Sequence, residues 1–154
     1  MSDSVSRDVV EAFYEAYSRR DLDAFGAFLA EDVEWHISGP IDILPHCGHH
    51  SGKAAVMKMI GRDIPDILGN RRLIPSLTLV DGDRAAILCR VVGFERQGGR
   101  SISYRVAQFF RFRDDKVVEC AAILDSYDAA EQVLGHPLAP HDTLSTGEND
   151  LIAV

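Results

Sequence analysis

SISYRVAQFFRFRDDKVVECAAIL, residues 101–124, decides the fold. Both halves of this stretch are rich in β-branched and aromatic residues, and RDDK (113–116) between them supplies the polar residues of a hairpin turn. The pattern extends upstream. LIPSLTLV (73–80) and AAILCRVVGF (85–94) have the same composition, with DGD (81–83) and RQGGR (96–100) as further turns. The second half of the chain is therefore expected to be a run of antiparallel strands.

The first half has a different period. Val9, Val10, Phe13, Tyr14 and Tyr17 recur at the i, i+3, i+4, i+7 spacing of one helical face, with Ser4 or Ser6 available as N-cap. Asp21 can cap a second short helix that carries Leu22, Phe25, Phe28 and Leu29, and VEWHIS (33–38) then alternates as a strand. Ser51 and Gly52 precede a third helix from about Lys53, built on Val56, Met57, Ile60 and Ile64 and ended or kinked by Pro65. Helices followed by strands imply an α+β domain in which a bent sheet wraps the helices and leaves a cavity between them. Residues 1–134 are expected to form that single domain. The stretch 135–154, GHPLAPHDTLSTGENDLIAV, loses periodicity and gathers Pro, Gly and acids, so it is expected to be a tail that is loose or packs on a neighbour.

Composition narrows the function classes. A chain of 154 residues is long enough to bury a core and a pocket. Hydrophobic residues make up 46% and charged residues 26%, with no apolar run near the roughly 20 residues of a membrane span. No membrane partner is expected, and the N-terminus lacks the basic start and apolar run of an export signal, which makes a cytoplasmic location the expectation. The formal charge of −8 opposes a polyanionic partner, and no basic, aromatic-interleaved track offers itself to nucleic acid. Cys47, Cys89 and Cys120 are an odd number without CxxC spacing, so a disulfide framework is not expected.

WHISGPIDILPHCGHHSG, residues 35–52, holds His36, His46, His49 and His50, four of the six histidines, beside the only tryptophan. His49 and His50 are adjacent, His46 is not at the i, i+4 helical spacing to complete a set with both, and no carboxylate motif accompanies them, so no metal is expected. Most of these histidines are expected to be solvated loop residues. Trp35 shares strand parity with Ile37, which makes both expected cavity wall.

The order of VVEAFYEAYSRRDLDAFGAFLAEDVEWHISGP at the start and QFFRFRDDKVVECAAILD at the end resembles the nuclear-transport-factor-like superfamily, and within it the SnoaL-like branch with its polyketide cyclases and ketosteroid isomerase relatives. The resemblance spans roughly residues 7–133. It implies a cone-shaped, cystatin-like α+β barrel with a mixed, mainly antiparallel sheet, homodimers paired through the outer sheet face, and cofactor-independent acid/base chemistry on a hydrophobic, carbonyl-bearing small molecule. A non-catalytic binding domain is the alternative, since the fold hosts both. The residues of the steroid isomerases do not carry over: their tyrosine falls on Phe13, their general base near Ile37 and their protonated acid on Gln108. Tyr14 is one residue from the first position, a step that rotates a helical side chain by about 100°. Limonene epoxide hydrolases need an Arg-x-Asp pair where this chain has Val106-Ala107-Gln108.

The resemblance keeps one acid, at the end of the last strand, where Asp125 stands. Asp125 is either a proton carrier in the cavity or the N-cap of a short C-terminal helix, and strand parity with Leu124 brings it inward only through a bulge. His46, on a segment that crosses the mouth of the cone in relatives, is the second candidate acid, base or donor. Arg90 groups with Leu88, Val92 and Phe94 on the face the resemblance turns inward, where it would hold a ligand oxygen or pair with Asp125; with opposite parity it is exposed. Tyr104 and Gln108 share the parity of Val106 and Phe110, so Gln108 either orients a carbonyl or is a satisfied core amide.

Overall fold

The computed structural model describes residues 4–139; of the expected tail, residues 140–154 lie outside that span. Helix α1 (Arg7–Arg19) starts at Ser6, whose hydroxyl accepts from the Val9 amide at 3.2 Å, and ends at Arg20 in a left-handed conformation. Asp21 then caps α2 (Leu22–Ala27) through the Ala24 amide. The buried faces of these helices meet in an aromatic cluster around Phe13, whose ring lies 5.1–5.8 Å from those of Phe25, Phe28, Phe110 and Phe112.

Strands β1 (Leu29–Ser38), β2 (Gly48–Ser51), β3 (Leu68–Asp81), β4 (Arg84–Glu95), β5 (Ser101–Arg113) and β6 (Lys116–Leu124) form one curved, unclosed sheet in the order β2-β1-β6-β5-β4-β3. Every pairing is antiparallel except β1 with β6, which is parallel and sets Trp35 opposite Cys120. Helix α5 (Ser126–Leu134) follows β6 and is held by Gln132, whose amide exchanges two hydrogen bonds with the backbone of Ser103. Among the described residues no helix is long and apolar enough to cross a membrane.

Three local expectations are corrected. The histidine-rich segment is not all loop, because His49 and His50 lie on β2, an edge strand against β1. The third helix does not stop at Pro65: α3 (Lys53–Lys58) widens into a π-helical turn (Met59–Asp63) and continues as α4 (Ile64–Ile67). A proline lacks an N–H and crowds the carbonyl four residues back, here Gly61, and the wider turn relieves that crowding.

The third correction concerns sheet parity. In the β4–β5 register Cys89 faces Val106 and Ile87 faces Gln108, and residues opposite each other share a face. Because Val106 and Gln108 point inward, so do Ile87 and Cys89, while Leu88 and Arg90 are turned out. An inward Leu88 and Arg90 would have left Ile87 on the outer face, but it is 1% exposed; Phe109 lies outside, at 48%.

Strand β3 contains an irregularity. Gly69 pairs with Phe94 and Arg72 with Val92, so Asn70 and Arg71 together oppose Gly93 alone. This is a β-bulge, and Asn70 meets its left-handed demand with φ 47°.

Candidate functional site: a polar-ended cavity inside the sheet

The concave face of the sheet and α1 enclose a cavity of about 30 Å³. One water needs about 10–15 Å³, so the space admits two oxygen-sized groups. Ile37, Ile64, Leu73, Val91, Val106 and Leu124 give it apolar walls, and Tyr17, Trp35, His46, Arg71, Tyr104 and Gln108 give it polar ones. Ile64 directly follows the π-helical turn and His46 lies on the segment between β1 and β2, so the cavity's cover is its least regular part.

His46 is 4% exposed, and its Nδ1 is buried without a hydrogen-bond partner. The His50 ring hydrogen-bonds the His46 carbonyl at 2.8 Å and fixes this part of the chain. Burial, followed by the Arg71 and His50 charges, pushes the imidazole down to about 4, so it is neutral at physiological pH.

A hydrogen-bonded chain runs beside it. The Tyr14 hydroxyl donates to Gln108 Oε1 at 2.9 Å, and Gln108 Nε2 donates to the Tyr17 hydroxyl at 3.4 Å. Since Tyr17 accepts from Gln108, its own proton is free to donate to a ligand. Burial raises the Tyr17 hydroxyl, and the Arg71 guanidinium, lying 5.5 Å from the Tyr17 ring centre, opposes that rise. Burial raises the Tyr104 hydroxyl as well.

Arg71 is 6% exposed, and among the described residues no carboxylate lies within ion-pair distance of it. The bulge at Asn70 and Arg71 presents this guanidinium to the cavity wall. Trp35 is fully buried in the same wall, and its Nε1 has no partner.

Of the residues singled out in the sequence, Trp35, Ile37, His46, Tyr104 and Gln108 thus meet around one cavity. The other three do not reach it. Phe13 is fully buried in the aromatic cluster behind Tyr17. Arg90 lies on the outer face and donates to the Ser103 hydroxyl at 3.0 Å. Asp125 is exposed at the N-cap position of α5: after an irregularity at its start, β6 stays in regular register with β5 from Glu119 to Leu124, so no bulge turns the next side chain inward. Two polar cavity residues, Tyr17 and Arg71, were not among those singled out. Tyr17 reads as an ordinary member of the α1 stripe. Arg71 shares the parity of the inward Leu73, and Gly69-Asn70 before it are residues suited to a bulge.

Among the described residues, no group of three or more His, Cys, Asp or Glu side chains is placed to hold a metal ion. His49 instead pairs with Glu34 at 2.6 Å on the outer face.

Residues 10–120 match the family model of the SnoaL-like domain. Among solved structures, a protein described as a candidate isomerase from Rhodopseudomonas palustris is 29% identical at a TM-score of 0.70, covering 82% of this chain and 93% of its own. An NTF2-like protein of unknown function from Burkholderia pseudomallei is 26% identical at a TM-score of 0.75, covering 86% of this chain and 98% of its own. No curated protein matches the chain. With the family model spanning most of the sequence and these structures sharing its fold, the chain belongs to the SnoaL-like domain family.

Proposed function

We propose that this protein is a cofactor-independent enzyme that moves a proton next to a carbonyl group of a small molecule with an apolar body, the chemistry of an isomerase or cyclase. The observation that carries this reading is His46, a buried neutral imidazole with an unpartnered nitrogen, in one cavity with Gln108 and Tyr17, the inner members of the Tyr14–Gln108–Tyr17 chain. In this mechanism the carbonyl oxygen accepts from the Tyr17 hydroxyl. His46 takes the proton from the carbon beside the carbonyl; the electron pair of that C–H bond forms the new C=C bond, and the π pair of the C=O bond moves onto the oxygen as an enolate. A fixed hydroxyl stabilises that charge better in a dry cavity than in water. The new negative charge makes the imidazole more basic, so it holds the proton and returns it to a different atom of the substrate. The resemblance of the fold to a candidate isomerase supports the same class of reaction.

The test is exchange of the protons beside the carbonyl of short ketones into deuterated water, followed by NMR. Wild type is expected to catalyse it, His46→Gln to lose about 10²–10⁴-fold and Tyr17→Phe to lose less. Ketone binding without exchange would make the protein a non-catalytic binder of the same fold.

We also propose a homodimer joined through the outer sheet face, where Phe109, Ile123 and Leu88 are exposed.

A further inference from the structure

Arg71 is a buried cation with no described acid beside it, at the wall of a cavity where Trp35 Nε1 is a second buried donor without a partner. Burying a cation unpaired is unfavourable, and a buried indole N–H without an acceptor adds to that. The fold nevertheless holds Arg71 there by a bulge. The cost of an unpaired buried cation is offset when an anion enters. One guanidinium with a neutral indole N–H supplies a single positive charge, which matches a carboxylate and leaves the second charge of a phosphate unmet. A carboxylate can take two parallel hydrogen bonds from the guanidinium fork and a third from Trp35, and its two oxygens have lone pairs for all three.

We infer that Arg71 anchors the carboxylate of the ligand, and that the substrate class is therefore the short-chain oxo acids. This rests on the reading of the same cavity as the site of proton transfer. The guanidinium lies over the Tyr17 ring, so the carboxylate and the carbonyl are held close together and the connecting chain is short. The carboxylate fills the space for two oxygen-sized groups, and the chain lies along Leu73, Val91 and Val106 as the least regular side of the cavity, the His46 segment and the turn before Ile64, gives way.

Levulinate and its amide, levulinamide, have the same carbonyl and carbon skeleton and differ in the charged end. Trp35 is the only tryptophan, so its fluorescence reports occupancy of the cavity, with calorimetry as a second readout. Wild type is expected to bind levulinate at least about tenfold more tightly than levulinamide, the discrimination of one charge-assisted pair. Arg71→Met is expected to erase the preference while melting at or above the wild-type temperature, because it removes an unpaired buried charge. Arg71→Lys should restore part of the preference. Equal binding of acid and amide by wild type, binding of levulinate by Arg71→Met as tightly as by wild type, or no binding of levulinate at all would each overturn the assignment. The two proposals separate cleanly: a preference that depends on Arg71 without deuterium exchange refutes only the proton-transfer reading. Exchange on levulinate and levulinamide alike, without preference, refutes only the carboxylate anchor.

Discussion

A Cβ built on Gly93 would stand 2.7 Å from the carbonyl oxygen of Gly69 across the β3–β4 pair. Gly69 in turn leaves no room for a side chain because the Phe94 ring packs on it. These two glycines let the strands close around the bulge that presents Arg71. Gly93→Ala is expected to cost about 1–3 kcal/mol in urea unfolding, by forcing backbone against backbone, and to weaken levulinate binding along with it. An alanine variant with wild-type stability and binding would show that the bulge tolerates a wider gap.

The buried His46 gives stability a pH dependence of known sign. Its folded value of about 4 lies below the ordinary 6.5, so between these values the unfolded chain takes up a proton that the folded protein refuses. The contribution is complete above pH 6.5 and is lost as pH falls toward 4. Its size is about 3 kcal/mol at most. Carboxylates titrate in the same window, so the measurement is a difference: from pH 7 to pH 4, wild type should lose more unfolding free energy than His46→Gln. Parallel losses would mean that His46 is protonated in the folded protein.

Asp125 stands at an N-cap position without a side-chain hydrogen bond to the helix, exposed to solvent. Asp125→Asn and Asp125→Ala are both expected to change stability by less than about 0.5 kcal/mol and to leave proton exchange at the wild-type rate. A large loss of exchange in Asp125→Asn, with folding intact, would return the acid to the mechanism.

Phe109 is 48% exposed and Ile123 56% on the middle strands of the sheet, where a monomer would leave them in water. Light scattering at micromolar concentration should give twice the chain mass, and Phe109→Lys should shift the population toward monomer. A monomeric wild type would remove the dimer.

The strands were legible because β-branched runs and turn residues alternate plainly from residue 73 onward, and the first helices because their apolar stripes and caps are local. Tyr104 and Gln108 could be paired on one face from alternation alone. Which face of β4 pointed inward could not, since AAILCRVV is apolar on both sides and only the partner strand fixes it. The same limit put Arg90 in the cavity and hid Arg71: Gly69, Asn70 and Arg71 have little strand propensity, so β3 seemed to begin at Leu73 rather than Leu68. Asp125 carried a family expectation that the regular end of β6 does not meet.

The parallel pairing of β1 with β6 sets an order in time. On the ribosome, the helices and β1 emerge long before the strand that β1 must lie against. The hairpins from β3 to β6 need only near neighbours, whereas β1 must wait for the last strand, a long-range closure that slows folding. Until then Trp35 and Ile37 have no wall to complete, so during synthesis the nascent chain offers apolar surface to chaperones, and the cavity is the last thing the protein makes.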